Sequence, residues 1–367
     1  MARIRALVVE DSLTVRRRIV EVLAANPELE VVGEAGDGKR AIELCGERRP
    51  DVVTLDMMLP VMTGLAATEY IMAYFPTPIL IVSASTNRGE LFRTYEALAA
   101  GALDVLEKPT GAEPDGDWER RLVAAVKLVS RIKVITHPRA RLAALARRVA
   151  APSVAPFAVQ GDRLPDAGGA SEARACRAIA IGASTGGPAA IVDVLRPLPA
   201  GFAVPIFLVI HIGEPFGTAF ADWLDGQTEQ RVAYARDDQP VASLRGVTMA
   251  PPERHLLVRG GRLRLVGDPP RHSCRPSVDV LFESVASEYG RAGAGCLLTG
   301  MGRDGAAGLL EIRRAGGRTL AQDEATSVVY GMPREAVLLG AAERVLPLGD
   351  IGAALAGLGS GGEAGGP

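Results

Sequence analysis

The stretch RAIAIGASTGGPAAIVDVL, residues Arg177–Leu195, passes from an apolar run through a glycine-rich turn into a segment with helical spacing. This pattern is typical of a β-strand that leads directly into an α-helix. The turn GASTGG places Ser184 between glycines at the end of the predicted strand. A turn of this kind either cradles a phosphate on the N–H groups of the following helix or exposes a nucleophile. The partners of Ser184 must distinguish the two.

The alternation of strand and helix continues on both sides of that serine in the second half of the chain. Apolar runs predict further strands in PIFLVIH, VAYARD, GVTMAPP, HLLVRGG, RLRLVG, GCLLTG and RTLAQD. Helical spacing predicts helices over Pro188–Leu195, near Phe216–Leu224, and across Asp279–Tyr289 and Gly305–Ala315. The pattern predicts a doubly wound α/β domain that carries one small antiparallel ribbon, HLLVRGGRLRLVG.

The first part of the chain repeats the same unit five times. Strands are predicted in RALVVE, VVGEAG, DVVTLD, PILIVSA and LDVLEKP, with helices that include Thr14–Ala25, Gly38–Glu47 and Arg120–Lys133. Such alternation predicts a five-stranded parallel sheet covered by helices on both faces. Ligands of these sheets bind beyond the carboxyl ends of the strands, so those ends are the first place to look for chemistry.

Polar side chains follow four of these five strands. They are Glu10, Asp11, Asp56, Ser83 and Lys108. Clustered carboxylates repel one another unless a cation neutralises them, and a set of oxygen ligands suits Mg²⁺. A phosphoacceptor aspartate needs a metal on the phosphoryl group, a lysine as counter-charge and a hydroxyl that contacts the product. Any one of these residues alone would be an ordinary solvated loop position, but together they predict a phosphorylation site.

The stretches VVEDS, LDMMLPVMTG, VSAS and GALDVLEKP resemble the receiver domain of two-component response regulators, whose winding is flavodoxin-like. The resemblance implies Mg²⁺ as the cofactor of phosphorylation and a histidine kinase as the phosphodonor. It also implies that Asp56 is the phosphoacceptor and that Lys108 contacts the phosphate. Ser83 would be the switch hydroxyl. The metal ligands would be Glu10, Asp11 and Asp56 with the backbone carbonyl of Met58. Val105 stands where receivers often carry an aromatic residue, so we expect a different or weaker switching response.

Three strand ends in the second half of the chain carry residues suited to acyl transfer. A serine needs a base within hydrogen-bond reach, and the base needs an acceptor that holds its tautomer. Ser184 offers the hydroxyl, His211 ends the strand PIFLVIH, and Asp304 follows the strand GCLLTG through a glycine-containing turn. N–H groups near Met301 are candidates for an oxyanion hole.

The residues alone leave alternatives open. GASTGG is equally compatible with a phosphate cradle, His211 with a buried structural histidine, and Asp304 with a helix N-cap. Other histidines compete for the role of base and other aspartates for the role of the orienting acid: His255 and His272, and Asp237, Asp238, Asp279 and Asp323.

The stretches IGASTGGP, APPERHLL, RPSVDVLF and LLTGMGRDGAAGL, with the strand that ends at His211, resemble the catalytic domain of chemotaxis protein-glutamate methylesterases. A receiver, a linker and this domain form the architecture of that family. The resemblance implies that Ser184 is the nucleophile, that His211 is the general base and acid, and that Asp304 orients the imidazole. Met301 would contribute a backbone N–H to the oxyanion hole. HIGEPFGTAF and APPERH depart from the usual pattern on the cleft wall, where they bear on substrate preference.

The function implied is a phosphorylation-regulated esterase that acts in sensory adaptation. It would hydrolyse glutamate γ-methyl esters on methyl-accepting chemotaxis receptors, release methanol, and deamidate receptor glutamines. Phosphate on Asp56 would shift the equilibrium between domain arrangements and uncover the cleft. The competing hypothesis is a regulator whose receiver docks on partners while the second domain only binds, and the intact set of three candidate catalytic residues argues against it.

Composition bounds the setting in which the protein works. A net charge of −2 gives no basic field for nucleic acid. The four cysteines have no CxxC spacing, which favours reduced thiols and a cytoplasmic location: Cys45, Cys176, Cys274 and Cys296. We expect a monomer that does not insert into a membrane, since no apolar run reaches the length of a membrane span.

Changes in composition along the chain predict its division. We expect a receiver domain over residues 1–125, a linker over 126–175, a catalytic domain over 176–355 and a disordered tail over 356–367. The linker is rich in Ala, Arg, Pro and Gly from His137 to Ala175, and the tail is rich in glycine.

Overall fold

The computed structural model describes residues 3–84, 87–109, 114, 116–132, 134, 176–213 and 215–359. Most of the predicted linker, 126–175, and residues 360–367 of the predicted tail lie outside the described residues. Two helices extend past predicted boundaries: the helix Asp117–Val129 continues beyond residue 125, and the helix Leu348–Gly359 continues beyond residue 355. The division of the chain at those residue numbers stays a prediction.

The N-terminal domain is a five-stranded parallel sheet with helices on both faces. Its strands are β1 Ile4–Val9, β2 Leu29–Ala35, β3 Val52–Leu55, β4 Ile79–Ser83 and β5 Asp104–Glu107. Its helices are α1 Leu13–Ala24, α2 Gly38–Arg48, α3 Gly64–Tyr74, α4 Arg88–Ala99 and α5 Asp117–Val129. The strand order β2-β1-β3-β4-β5 confirms the flavodoxin-like prediction, because it is the order of that winding.

Capping side chains determine where several of these helices begin. Asp37 accepts a hydrogen bond from the backbone N–H of Arg40 at the start of α2. Thr63 and Asn87 accept equivalent bonds at the starts of α3 and α4. A capped start satisfies N–H groups that have no partner inside the helix. It also fixes the preceding loop, which holds the strand-end residues of the site in place.

The C-terminal domain is a seven-stranded parallel sheet with an antiparallel pair beside it, as predicted. Its strands are β6 Ala178–Ala183, β7 Ile206–Ile210, β8 Val232–Tyr234, β9 Val247–Met249, β10 His255–Arg259, β11 Arg262–Val266, β12 Gly293–Leu297, β13 Arg318–Gln322 and β14 Arg344–Leu346. Its helices are α6 Gly187–Leu195, α7 Phe220–Asp225, α8 Val278–Tyr289, α9 Ala306–Arg314, α10 Met332–Leu338 and α11 Leu348–Gly359. The sequence pattern predicts no element after β13, whereas the structure adds α10, β14 and α11.

The strand order of the larger sheet places a crevice beside β6. The order is β14-β13-β12-β6-β7-β9-β8, so the chain leaves β6 toward β7 and later returns to β12 on the other side of β6. Ligands of open α/β sheets bind outside the carboxyl ends of the strands at such a reversal. The loops that follow β6, β12 and β7 carry the three residues predicted for acyl transfer.

The two domains share an interface built around α4. Tyr95 of α4 is fully buried, and its hydroxyl donates a 2.5 Å hydrogen bond to the backbone carbonyl of Phe216. Its ring meets that of Phe220 edge to face at a centroid distance of 5.3 Å. At the rim, Arg88 pairs with Asp222 at 2.9 Å. Tyr95 therefore packs within the core of the C-terminal domain although it belongs to the N-terminal one.

The N-terminal domain also packs beside the crevice. Ile212, next to His211, packs against the buried cluster that contains Leu55 and Ile81. Val328 and Val329 pack against the cluster on the other face of the same sheet. No helix among the described residues is long and apolar enough to cross a membrane.

Candidate active site

The carboxyl end of the first sheet brings together the residues predicted for phosphorylation. The Lys108 ammonium lies 2.8 Å from an Glu10 oxygen and 2.9 Å from an Asp56 oxygen. Both carboxylates are buried, and burial, with the neighbouring Asp56, raises the pKa of Glu10 to about 7 although Lys108 opposes the shift. A raised pKa is expected when two buried carboxylates share a site with a single cation.

The donor set at this site fits Mg²⁺. One carboxylate oxygen from each of Glu10, Asp11 and Asp56 lies within 4.8 Å of the others. Hard oxygen ligands at one edge of a sheet are what Mg²⁺ prefers, and the ion keeps positions free for waters and phosphate. Ser83 is buried at the end of the neighbouring strand, and its hydroxyl has no hydrogen-bond partner among the described residues.

The strand ends of the second sheet bring Ser184 and His211 side by side. Ala183 at the end of β6 pairs with Ile210 at the end of β7. Ser184 follows Ala183 and His211 follows Ile210, so these two residues leave the sheet next to each other. The backbone N–H of His211 donates to Ala183 at 3.1 Å, and that of Ser184 donates to Thr299 at 3.0 Å. These bonds tie the loops after β6, β7 and β12 to one another.

His211 and Asp304 form a hydrogen-bonded pair. The distance from Nε2 of His211 to Oδ2 of Asp304 is 2.8 Å, and Asp304 is 2% exposed. Burial alone would lower the pKa of His211, but the bonds to Asp304 and Cys274 raise it to about 9. Because a carboxylate only accepts hydrogen bonds, Nε2 carries the proton of the neutral imidazole, and Nδ1 carries a second proton only below the raised pKa.

Asp304 is held by three donors besides the histidine. It accepts hydrogen bonds from the Ser277 hydroxyl at 2.7 Å and from the backbone N–H groups of Val278 at 2.8 Å and Asp279 at 3.1 Å. Burial works against ionisation, yet these donors and His211 hold the pKa of Asp304 below its usual value. The carboxylate is therefore both ionised and fixed in position at the start of α8.

Ser184 and His211 are neighbours without a direct bond. Among the described residues, no hydrogen bond joins the Ser184 hydroxyl to the imidazole, and Nδ1 of His211 instead lies 3.6 Å from Sγ of Cys274. Catalytic hydrogen bonds are often long or misaligned before substrate binds. Sequence reasoning did not single out Cys274, because RHSC carries no motif for a site residue.

The other candidate histidines have structural partners. His255 is buried, accepts from the backbone N–H of Ser277 at 3.1 Å, and lies 3.2 Å from the carbonyl of Pro269 through its other nitrogen. His272 lies 3.1 Å from an Asp279 oxygen. Neither ring follows a strand of the crevice, so neither has the position of His211 beside Ser184.

The other candidate aspartates also have partners elsewhere. Asp238 pairs with Arg262 and Arg264 on the antiparallel ribbon, and Asp237 accepts from a backbone N–H of the same ribbon. Asp323 caps a turn that includes Thr326. Asp279 accepts from the backbone N–H of Gly308 and supports α9 against α8.

An open cleft of about 490 Å³ lies beside the histidine and aspartate pair. Cys274, Met301, Arg303 and Asp304 line it, with Glu335 of α10 at one side. The loop after β12 is fixed by two bonds to the carbonyl of Gly300, from the N–H groups of Gly331 and Met332. The strand ends thus bring a serine hydroxyl and an imidazole paired with a buried carboxylate to one edge of the sheet, beside an open cleft.

Comparisons with known proteins match both domains. Residues 179–355 match the family model for CheB methylesterase, and residues 6–114 match that of the response regulator receiver domain. A protein-glutamate methylesterase/protein-glutamine glutaminase 2 of Anaeromyxobacter dehalogenans is 44% identical, with 96% of each chain covered. Its counterpart in Nitrosospira multiformis is 42% identical, with 97% of each chain covered. A crystal structure of the Thermotoga maritima CheB methylesterase catalytic domain is 32% identical, and the match covers 50% of this chain and 100% of that one with a TM-score of 0.47.

Proposed function

The chain belongs to the family of response-regulator protein-glutamate methylesterases/protein-glutamine glutaminases, and from this premise we propose that it hydrolyses glutamate γ-methyl esters on methyl-accepting chemotaxis receptors. Ser184 would be the nucleophile, His211 the general base and acid, and Asp304 the residue that orients the imidazole. The observation that carries this proposal is the 2.8 Å bond between His211 and Asp304 at the strand end beside Ser184.

The reaction runs through an acyl-enzyme. The Ser184 oxygen attacks the ester carbonyl while Nδ1 of His211 takes the hydroxyl proton, and Asp304 stabilises the imidazolium that forms. Collapse breaks the bond between the acyl carbon and the methoxy oxygen, and His211 returns its proton so that methanol leaves. Water then attacks the carbonyl of the acyl-enzyme while His211 takes its proton. His211 returns the proton to the Ser184 oxygen, and the free glutamate side chain is released.

A backbone N–H group supports stabilisation of the tetrahedral intermediate. The N–H of Met301 belongs to the loop after β12, which is bonded to the loop of Ser184 through Thr299. A preorganised N–H aimed at the developing oxyanion lowers the barrier because it needs no reorganisation during the reaction. We assign that role to Met301.

The same chemistry accounts for deamidation. An amide carbonyl is attacked as an ester is, and the leaving group becomes ammonia once His211 supplies the proton. The relatives from Anaeromyxobacter and Nitrosospira carry the name protein-glutamine glutaminase beside protein-glutamate methylesterase. Receptor glutamines are therefore a second substrate class under this proposal.

The receiver domain would regulate the esterase through Asp56. Glu10, Asp11, Asp56 and the carbonyl of Met58 would hold Mg²⁺, which neutralises charge on the incoming phosphoryl group when bound. A histidine kinase would be the phosphodonor. Lys108 would pair with the phosphoryl oxygens, and the Ser83 hydroxyl, which has no partner among the residues that the structure describes, would donate to them.

The position of the receiver supports regulation by occlusion. Ile212 and Val328 pack against receiver clusters and adjoin the loops of His211 and Ser184. Phosphorylation would favour an arrangement in which the receiver leaves these walls. The setting we propose is a cytoplasmic monomer, and the four cysteines, all free thiols, support the cytoplasmic location.

The test is methanol release from receptor-containing membranes that carry radiolabelled methyl esters. The full chain should release methanol, and Ser184→Ala should release none while its Asp56 still accepts a phosphoryl group from a small phosphodonor with Mg²⁺. Substantial release by Ser184→Ala would remove the nucleophile assignment. Absence of release by the unsubstituted, phosphorylated chain would favour a regulator that only binds its partners.

A further inference from the structure

A thiol occupies the side of His211 that the proposed mechanism needs. Sγ of Cys274 lies 3.6 Å from Nδ1, while Nε2 is engaged by Asp304. Cys274 is a partly exposed free cysteine at the edge of the cleft. One ligand atom from each of His211, Cys274 and Asp304 lies within 4.8 Å of the others, so the three form a compact nitrogen, sulfur and oxygen cluster.

The backbone holds this thiol in place. Arg271 and Cys274 exchange two backbone hydrogen bonds, of 3.1 and 2.8 Å, across a two-residue turn. The turn residues, His272 and Ser273, have φ angles of 50° and 62°, which residues other than glycine rarely adopt. Strain of this kind persists only where the surroundings impose it, and it is frequent at ligand sites. The position of Cys274 is therefore set by a rigid turn.

We propose that Cys274 and His211 form an inhibitory binding site for zinc. Zinc–sulfur and zinc–nitrogen bonds of about 2.3 and 2.1 Å at a tetrahedral angle place the two ligand atoms about 3.6 Å apart. This is the separation of Sγ and Nδ1. Asp304 takes the part of the carboxylate that accepts the other imidazole N–H and thereby leaves the Nδ1 lone pair free for a metal.

The chemistry of the ligands selects the ion. Thiolate with imidazole suits Zn²⁺, whereas a set of carboxylates suits Mg²⁺. The chain thus carries two sites of opposite preference, since the cluster of Glu10, Asp11 and Asp56 offers only oxygen. Two protein ligands would leave the zinc with open positions, and because Cys274 lines the cleft, water would fill them and the ion would exchange with solvent.

Binding has a defined proton balance. Zinc binds the thiolate and the neutral imidazole, so the Cys274 S–H bond breaks as the Zn–S bond forms, a protonated imidazole also loses its Nδ1 proton, and each proton released passes to solvent. The Nδ1 lone pair becomes a metal ligand and is no longer available to the Ser184 hydroxyl. This consequence rests on the proposed function. A free zinc concentration about 100 times the Kd should then lower esterase turnover about 100-fold.

The binding test is independent of catalysis. Co²⁺ titrated into the full chain carrying Ser184→Ala should produce a thiolate-to-cobalt absorption band, and Zn²⁺ should abolish the band by displacement. The band should be absent when Cys274→Ser is added and should remain when Cys176→Ser is added instead. Cys176 is a matched control because it is also a partly buried thiol, and its sulfur contacts a backbone carbonyl rather than an imidazole.

The activity test uses the chain with Ser184 intact. Zn²⁺ should inhibit methanol release, and each variant is compared with its own metal-free rate, with Cys274→Ser expected to lose most of the inhibition and Cys176→Ser to keep it. An identical cobalt band, or identical zinc inhibition, in Cys274→Ser would overturn the site. A cobalt band that depends on Cys274 without methanol release from any variant would instead support the site and reject the proposed esterase.

Discussion

Asp304 contacts both the imidazole of His211 and the start of α8, so its replacement should affect activity and stability together. It accepts bonds from His211, Ser277, Val278 and Asp279. Asp304→Asn should lower kcat about 10²- to 10⁴-fold, because an amide can hold the wrong imidazole tautomer. It should also lower the free energy of unfolding by about 1–3 kcal/mol, since an NH₂ group would face buried donors.

Paired measurements of methanol release and urea unfolding check this prediction. Asp238→Asn is a suitable control, because that carboxylate lies on the antiparallel ribbon away from the cleft. A normal unfolding free energy in Asp304→Asn would show that the three donors at the start of α8 do not depend on the charge.

The four thiols should differ sharply in reactivity. Burial raises the pKa of Cys45 and of Cys296 to about 12, and that of Cys176 to about 11. Only the thiolate attacks an alkylating reagent, so below pH 9 these three should react slowly. Cys274, at the cleft, should be alkylated first, as peptide mass spectrometry after iodoacetamide treatment would detect. Labelling of Cys296 before Cys274 in the folded chain would contradict the described packing.

Single residues also mark where sequence reasoning succeeds and where it stops. Glu10, Asp56 and Lys108 are predictable as a group, because parallel strands deliver their carboxyl ends to one edge. The choice of Asp304 over the other aspartates cannot be predicted in this way, because 93 sequence positions separate it from His211, which it contacts. The position of Cys274 beside His211 cannot be predicted from the sequence, because it depends on the positive φ angles of His272 and Ser273.

The loop after β12 packs against Ser184, the proposed nucleophile. A Cβ on Gly300 would lie 2.8 Å from that of Ser184 and 2.3 Å from the Met332 sulfur. Gly300→Ala should therefore displace Ser184 and reduce methanol release by about 100-fold, the usual scale for a displacement near 1 Å.

The control for this change is Gly349→Ala, because a Cβ there meets nothing within 4 Å. Both variants should still be phosphorylated on Asp56, because neither substitution touches the receiver site. Full activity in Gly300→Ala would mean that the loops of β6 and β12 can separate without loss of function.

Elements differ in how clearly the sequence specifies them. The central strands β6, β7 and β12 are buried on both faces and appear as continuous apolar runs. β14 is a three-residue edge strand whose Arg344 and Val345 are exposed, so it has no such run. Its pairing with β13 provides the strand, and that pairing depends on the tertiary structure.

At the level of the whole chain, the domain interface explains why one domain can regulate the other. Tyr95 packs against Phe220 and Trp223 as a core residue would. Val105, at the position where receivers often have an aromatic residue, packs against the same core cluster and against the receiver core. β5 and α4 therefore connect the receiver sheet to the interface, and we expect a change at Asp56 to act through them.

Occlusion of the cleft by the receiver can be tested by removing the receiver. Because Ile212 and Val328 adjoin the catalytic loops and pack on the receiver, a fragment that begins at Cys176 should release methanol faster than the unphosphorylated full chain. The expected ratio is about 5- to 150-fold, which corresponds to coupling of about 1–3 kcal/mol between sites. Phosphorylation of Asp56 in the full chain should close most of this gap, while Asp56→Asn should stay slow under the same treatment. The same fragment with Ser184→Ala gives the background. A fragment no faster than its unphosphorylated parent would exclude occlusion, and the receiver would then act by recruiting the substrate or by activating the esterase directly.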